Sequence, residues 1–140
     1  MKEAYVSFEI AQLLKEKGFD WECHKYWEDH YGPEGLLQRL ESCSSDYQPF
    51  EDEYLAPTQQ MAMRWLREEK GIFIEIYPEF GDVEIAWCHG DYEETLIGYG
   101  VKIINLDYCE VKHDFLVKNS YEDAVEAALK YCLTELILRL

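Results

Sequence analysis

Cysteine and histidine are the residues of this 140-residue chain whose spacing bears most directly on chemistry. Cys88 is followed at once by His89, and Cys109 is followed four positions later by His113. Structural zinc sites usually contain cysteine pairs two to four residues apart, and the sequence contains no such pair. Cys88, Cys109 and His113 are therefore only weak candidates for a mixed metal site, and we expect no metal and no other cofactor.

The same residues do not form a recognisable catalytic centre. A cysteine nucleophile needs a neighbouring base or a lowered pKa, and no local signature surrounds Cys88 or Cys109. Gly98 and Gly100 lie inside a predicted strand with no helix after it, so they do not form a phosphate-binding loop. The sequence therefore predicts no catalytic residue and favours a protein that is not an enzyme. A metal- or thiol-dependent enzyme is kept as an alternative.

Aromatic residues form the clearest candidate for an interaction site. Trp21, Tyr26, Trp27 and Tyr31 lie close together in an acid-rich stretch. Aromatic side chains that the core does not need often mark a surface that binds another protein. The four residues are therefore predicted to contact a protein partner, and burial in the core is the alternative.

The charge of the chain limits its partners. It contains 29 acidic and 13 basic residues, for a net charge of -16, and the acids are spread evenly along its length. Because nucleic-acid affinity comes largely from Lys and Arg, we expect no direct binding to nucleic acid, and an anionic membrane surface is excluded for the same reason. A strongly acidic protein can instead imitate DNA, which is a second functional hypothesis.

Composition and hydropathy predict a cytoplasmic protein. No apolar run approaches the roughly 20 residues that span a bilayer, and the N-terminus reads as an amphipathic helix rather than a signal peptide. The number of cysteines is five, which is odd, so reduced thiols are expected.

The hydrophobic periodicity predicts an α+β fold in a single domain over residues 1–140. Helices are predicted at about 7–17, 57–70 and 120–140, each preceded by a capping or helix-starting residue. The period changes to two after Gly71, which predicts an antiparallel sheet of three or four strands with helices on one face. Its predicted parts are strands at 72–77, 83–87, 96–106 and 109–117, with a hairpin loop at 78–82.

Residues 19–56 are predicted to be an irregular, aromatic-rich region within the domain. Residues 19–26 alternate weakly, as in a strand. Residues 33–43 place Leu36, Leu37 and Leu40 at the spacing of a short helix. Residues 42–49 are predicted to form a loop.

The predicted order of helix, three strands and helix also describes double-stranded-RNA-binding domains. Those domains bind phosphates with basic residues at the start of the last helix, where this chain has Tyr121, Glu122 and Asp123. The charge has the wrong sign, so this RNA-binding mode is rejected.

Three segments carry a different resemblance, namely residues 5–19, 56–68 and 121–133. Over roughly a third of the chain they resemble an uncharacterised family of small proteins from phages and prophages of gut bacteria. The resemblance implies a mobile-element origin and carries no known activity. The leading functional hypothesis is therefore an accessory protein that binds another protein, either an unknown partner or a second copy of itself. An acidic DNA-mimic inhibitor and an enzyme are the alternatives.

Overall fold

The computed structural model describes residues 3–33, 35–84, 92–107, 110–117 and 120–137. Within them the chain forms three α-helices and two antiparallel three-stranded sheets, which confirms the predicted α+β class. A π-helical turn at Cys132–Leu136 follows the last helix. The elements in chain order are α1 (Phe8–Glu16), β1 (Lys25–Gly32), β2 (Gly35–Ser42), β3 (Glu53–Leu55), α2 (Gln59–Lys70), β4 (Ile72–Glu84), β5 (Tyr92–Asn105), β6 (Glu110–Val117) and α3 (Tyr121–Tyr131).

Each helix begins after a hydroxyl side chain that caps it. The side-chain oxygens of Ser7, Thr58 and Ser120 each accept a bond from the backbone N–H three residues later. Such caps satisfy donors that the first helical turn leaves free. Helix α1 ends at Glu16. Gly18 follows it with a φ of 90°, which favours glycine, and Phe19 N–H donates to the carbonyl of Leu14 at 3.0 Å.

The second sheet, in the order β4-β5-β6, buries one face against helices α2 and α3. Ile72 and Ile74 of β4 and Val101 and Ile103 of β5 are buried on this face. Full burial of such a side chain contributes about 1.5–3 kcal/mol relative to leaving it exposed. The predicted strand periodicity and the packing of helices on one sheet face are therefore confirmed for this part of the chain.

A polar contact joins the three helices at one end. Glu126 of α3 accepts hydrogen bonds from the backbone N–H and the hydroxyl of Ser7, at 3.0 and 2.8 Å. The buried Gln59, at the start of α2, donates to the Glu122 carbonyl at 3.0 Å. A buried polar group must be satisfied in this way, so these bonds fix how the helices meet.

The first sheet, in the order β2-β1-β3, occupies the region that the sequence predicted to be irregular. The helix considered for residues 33–43 is wrong, because residues 35–42 form β2 and pair with β1. The leucine spacing there suits a helix, but antiparallel pairing with β1, which brings Gly35 opposite Gly32, decides the structure. The strand considered for residues 19–26 is also misplaced, since β1 begins only at Lys25, whereas the loop after β2 is confirmed.

Two further boundaries differ from the prediction. The loop predicted at 78–82 is instead part of β4, which continues to Glu84 opposite β5 with a bulge after Glu79. Pro78 is tolerated because β4 is an edge strand, where a missing N–H costs no sheet hydrogen bond. Helix α3 ends at Tyr131 rather than continuing to the C-terminus as an α-helix. The predicted strand at 83–87 lies mostly outside the described residues.

No helix in these described ranges is both long enough and apolar enough to cross a membrane.

Candidate functional site

Trp27, one of the four aromatic candidates, serves the core. Its indole N–H donates to the Val6 carbonyl at 2.9 Å, and its ring packs edge-on against Phe8 at 6.2 Å between centroids. The side chain is half-buried and packs against the main apolar cluster. Trp27 therefore fixes the segment before α1 to the first sheet.

Trp21 and Tyr26 are half-buried, and each packs against different side chains. Trp21 packs against Phe19, with centroids 6.4 Å apart, and the Arg64 guanidinium lies 5.9 Å from its ring centroid. Tyr26 stacks on Tyr47 at 4.9 Å. Trp21 and Tyr26 thus pack against different rings, and the prediction that the four aromatic residues contact a protein partner stays a prediction. The backbone of Tyr31 belongs to β1, but its side chain lies outside the described side chains.

The metal candidates fall where the structure describes little. Cys88 and Cys109 lie outside the described residues, as does the side chain of His113, whose backbone pairs with Ile103. Among the side chains that are described, no group of three or more His, Cys, Asp or Glu residues is arranged to hold a metal ion. The weak metal hypothesis therefore stays a prediction.

The described cysteines lack the property that a nucleophilic thiol requires. Burial raises the pKa of Cys23 and of Cys132 to about 12, and it also raises the pKa of Cys43. A reactive cysteine needs a lowered pKa, because the thiolate is the nucleophile. A thiol-dependent enzyme would consequently have to use Cys88 or Cys109.

The carboxylates are distributed over the whole fold. Acidic side chains occur in all three helices and in strands of both sheets. A DNA mimic would need its charges in a stripe that follows the spacing of phosphates. The part of the chain described here concentrates its acids on no single element.

The most distinctive surface is one that the sequence analysis did not identify. We call it the outer face: the side of the β4-β5-β6 sheet that points away from α2 and α3. Side chains alternate between the faces of a strand, so the neighbours of the buried isoleucines point outward. In register across the sheet they form an apolar row (Phe73, Ile104 and Val111) and a charged row (Glu75, Lys102 and Asp114).

The outer face continues past the charged row with further apolar side chains. Tyr77, Gly100 and Leu116 form the next row, and Ile97 lies beside it at the bulge. Val111, Leu116 and Ile97 keep 51%, 42% and 41% of their surface exposed. A run of large apolar side chains exposed on one sheet face is unusual for a surface that only meets water.

Tyr77 crosses the middle of the outer face. Its ring lies directly over Gly100, where an added Cβ would overlap it, and its hydroxyl donates to Asp114 Oδ1 at 3.3 Å. Burial and the carboxylates of Asp114 and Glu79 raise the pKa of Tyr77 above its usual value of about 10. The tyrosine therefore links β4 to β6 across β5.

A signal for this face was present in the sequence. A strand with one solvated face should alternate apolar and polar residues. In β4, however, Phe73 and Tyr77 occupy positions where polar residues are expected, and in β5 Ile104 follows Ile103 directly. Apolar residues on both alternating sets indicate a sheet that is covered on both sides. The buried isoleucines mark the core face, and the other set marks the outer face.

Comparisons with known proteins give no relative: the chain matches no protein-family model, no curated protein and no solved structure.

Proposed function

We propose that this protein is a non-enzymatic binding protein whose outer face docks a protein partner that carries apolar and basic side chains. The observation that carries the proposal is the exposure of Val111, Leu116 and Ile97 on a sheet face that no described helix covers. An exposed apolar surface gains free energy when a partner removes it from water.

The charge of the surface argues for a basic partner. Glu75, Glu79 and Asp114 share the outer face with a single described cationic side chain, Lys102. The whole chain carries a net charge of -16. Electrostatic complementarity steers association and suppresses partners of like charge. A second copy of this chain would repel the first, so a different protein is favoured over a homodimer.

Site-specific photo-crosslinking in the native cell tests the proposal. A benzophenone amino acid replaces Leu116 on the outer face in one variant and Leu37 on β2 in the other. Leu37 is a matched control because it is also an exposed leucine in a strand, with 51% of its surface exposed against 42% for Leu116.

We expect position 116 to give an adduct with a basic protein and position 37 to give little of it. When the crosslinking is repeated in cell lysate, the adduct should diminish as salt is added, because salt screens exposed charges. Equal yields from both positions, including none from either, would contradict the proposal. An adduct consisting of two copies of this chain would contradict the choice of partner.

A further inference from the structure

A second candidate site lies in a different part of the fold, in a cavity beside the C-terminal end of α1. The cavity has a volume of about 210 Å³ and opens between residues 19–23 and the loop at 45–49. Phe19, Trp21, Tyr47 and Leu55 supply aromatic and apolar walls. Cavities for drug-sized molecules measure about 300–1,000 Å³, so this one suits a group the size of a side chain.

The cavity wall is held in place by a buried carboxylate. Glu53 is 7% exposed, and its Oε1 accepts the Tyr47 hydroxyl at 2.5 Å and the Phe50 N–H at 2.9 Å. This contact is the main cause that raises the pKa of Tyr47. Tyr47 also stacks on Tyr26, so its ring is fixed from two sides before any ligand arrives.

The lysine that lines the cavity is already engaged. The Lys15 ammonium donates to the carbonyls of Phe50, Glu51 and Glu53, at 3.3, 2.8 and 3.1 Å. An ammonium has three donors, and these bonds use all of them. Lys15 therefore ties the loop to α1 and is not positioned to bind an anion.

The remaining charges at the cavity are acidic. Asp20 and Glu22 are exposed and lie in its lining on either side of Trp21. Aromatic rings attract cations to their faces, and the guanidinium of Arg64 already lies against Trp21. Aromatic walls with carboxylates beside them are the chemistry that recognises alkylammonium groups.

We propose that this cavity binds an alkylammonium cation, either a free quaternary ammonium compound or a lysine side chain of another protein. The residues that line the cavity belong to none of the strands β4, β5 and β6, so this proposal and the proposed function can each be correct without the other. Binding requires both the rings, which contact the cation, and the carboxylates, which supply the negative potential.

Titrations followed by NMR of the tryptophan indole N–H signals test the site. The probes are choline, its uncharged isostere 3,3-dimethylbutan-1-ol, and Nα-acetyl-lysine methylamide. We expect a saturable shift of the Trp21 signal with at least one cation and a response at least threefold weaker with the alcohol. Preference for choline would indicate a free ligand, and preference for the lysine derivative would indicate a protein side chain.

Charge variants keep the test independent of folding. Asp20→Asn with Glu22→Gln should weaken cation binding roughly threefold to tenfold, since cation–π sites depend on the local field. Glu122→Gln with Asp123→Asn removes the same charge from the exposed first turn of α3 and should leave binding unchanged. No shift of Trp21 with any probe, equal binding of choline and the alcohol, or equal effects of the two pairs would overturn the proposal.

Discussion

The two faces of the β4-β5-β6 sheet are built from the same strands and have different roles. On the helix side, Val101 and Ile103 are completely buried beneath α2 and α3. On the outer face, Val111 and Leu116 of the neighbouring strand β6 keep about half of their surface in water. The first set is explained by folding. The second set contributes little to folding, and a partner would explain it.

The largest expected difference between the faces is in stability. Ile103→Ala removes buried methyl groups and leaves a cavity, so it should lower the free energy of unfolding by about 2–5 kcal/mol. Val111→Ala on the outer face should change it by about 0.5 kcal/mol or less. Urea denaturation of both variants measures the contrast. Equal losses would mean that the outer face is as tightly packed as the core.

A smaller effect is expected where the outer face is itself well packed. Gly100→Ala places a methyl group in the space of the Tyr77 ring, so the ring must move and its hydroxyl leaves Asp114, which should cost about 1 kcal/mol. In a Tyr77→Ala background the same change should cost almost nothing, because the ring is gone. The double-mutant cycle measures the coupling between the two positions. A coupling energy near zero would show that Gly100 and the Tyr77 ring do not constrain each other.

Folding and binding should separate in a third pair of variants. Val111→Thr with Leu116→Thr places threonine, a β-branched residue that favours strands, at both positions, so stability should change by only about 0.5 kcal/mol. Affinity for the partner should fall at least tenfold, which corresponds to about 1.4 kcal/mol. Leu36→Thr with Leu37→Thr on β2 is the control and should retain binding. Loss of binding in both pairs would indicate a general effect of surface polarity.

The smallest effect concerns the titration of Tyr77. Its pKa is raised in the folded protein, so its stabilising contribution is complete below the unfolded value of about 10 and is lost as pH rises through the folded value. Asp114→Asn removes a negative charge that contributes to this shift. The variant should therefore ionise Tyr77 at lower pH, as measured by the ultraviolet absorbance difference from the corresponding Tyr77→Phe proteins. An unchanged midpoint would place Asp114 away from the hydroxyl.

The sequence predicted the helices and the helix-side sheet face because their signals are local. Ser7, Thr58 and Ser120 cap the three helices, and Ile72 and Ile74 alternate along one strand. Such features depend on neighbours within a few residues. The prediction therefore located the core of this half of the molecule with little help from long-range contacts.

The first sheet could not be predicted in the same way. Leu36, Leu37 and Leu40 suit a helix locally, and only pairing with β1 makes them a strand.

In the second sheet, Pro78 favoured a loop, and only its place on an edge strand allows β4 to continue. The outer face depends on the register across three strands. The cavity depends on the hydrogen bonds from Tyr47 and Phe50 to the Glu53 carboxylate. These are contacts between distant residues, which periodicity does not encode.

The central claim is that the outer face binds a different protein, and native mass spectrometry of gently purified protein tests it most directly. The wild-type chain and the Leu36→Thr/Leu37→Thr control should carry the added mass of one partner. The Val111→Thr/Leu116→Thr variant should appear as the free chain. The claim would be contradicted if all three proteins showed the mass of one chain, or if the wild type showed only two copies of itself.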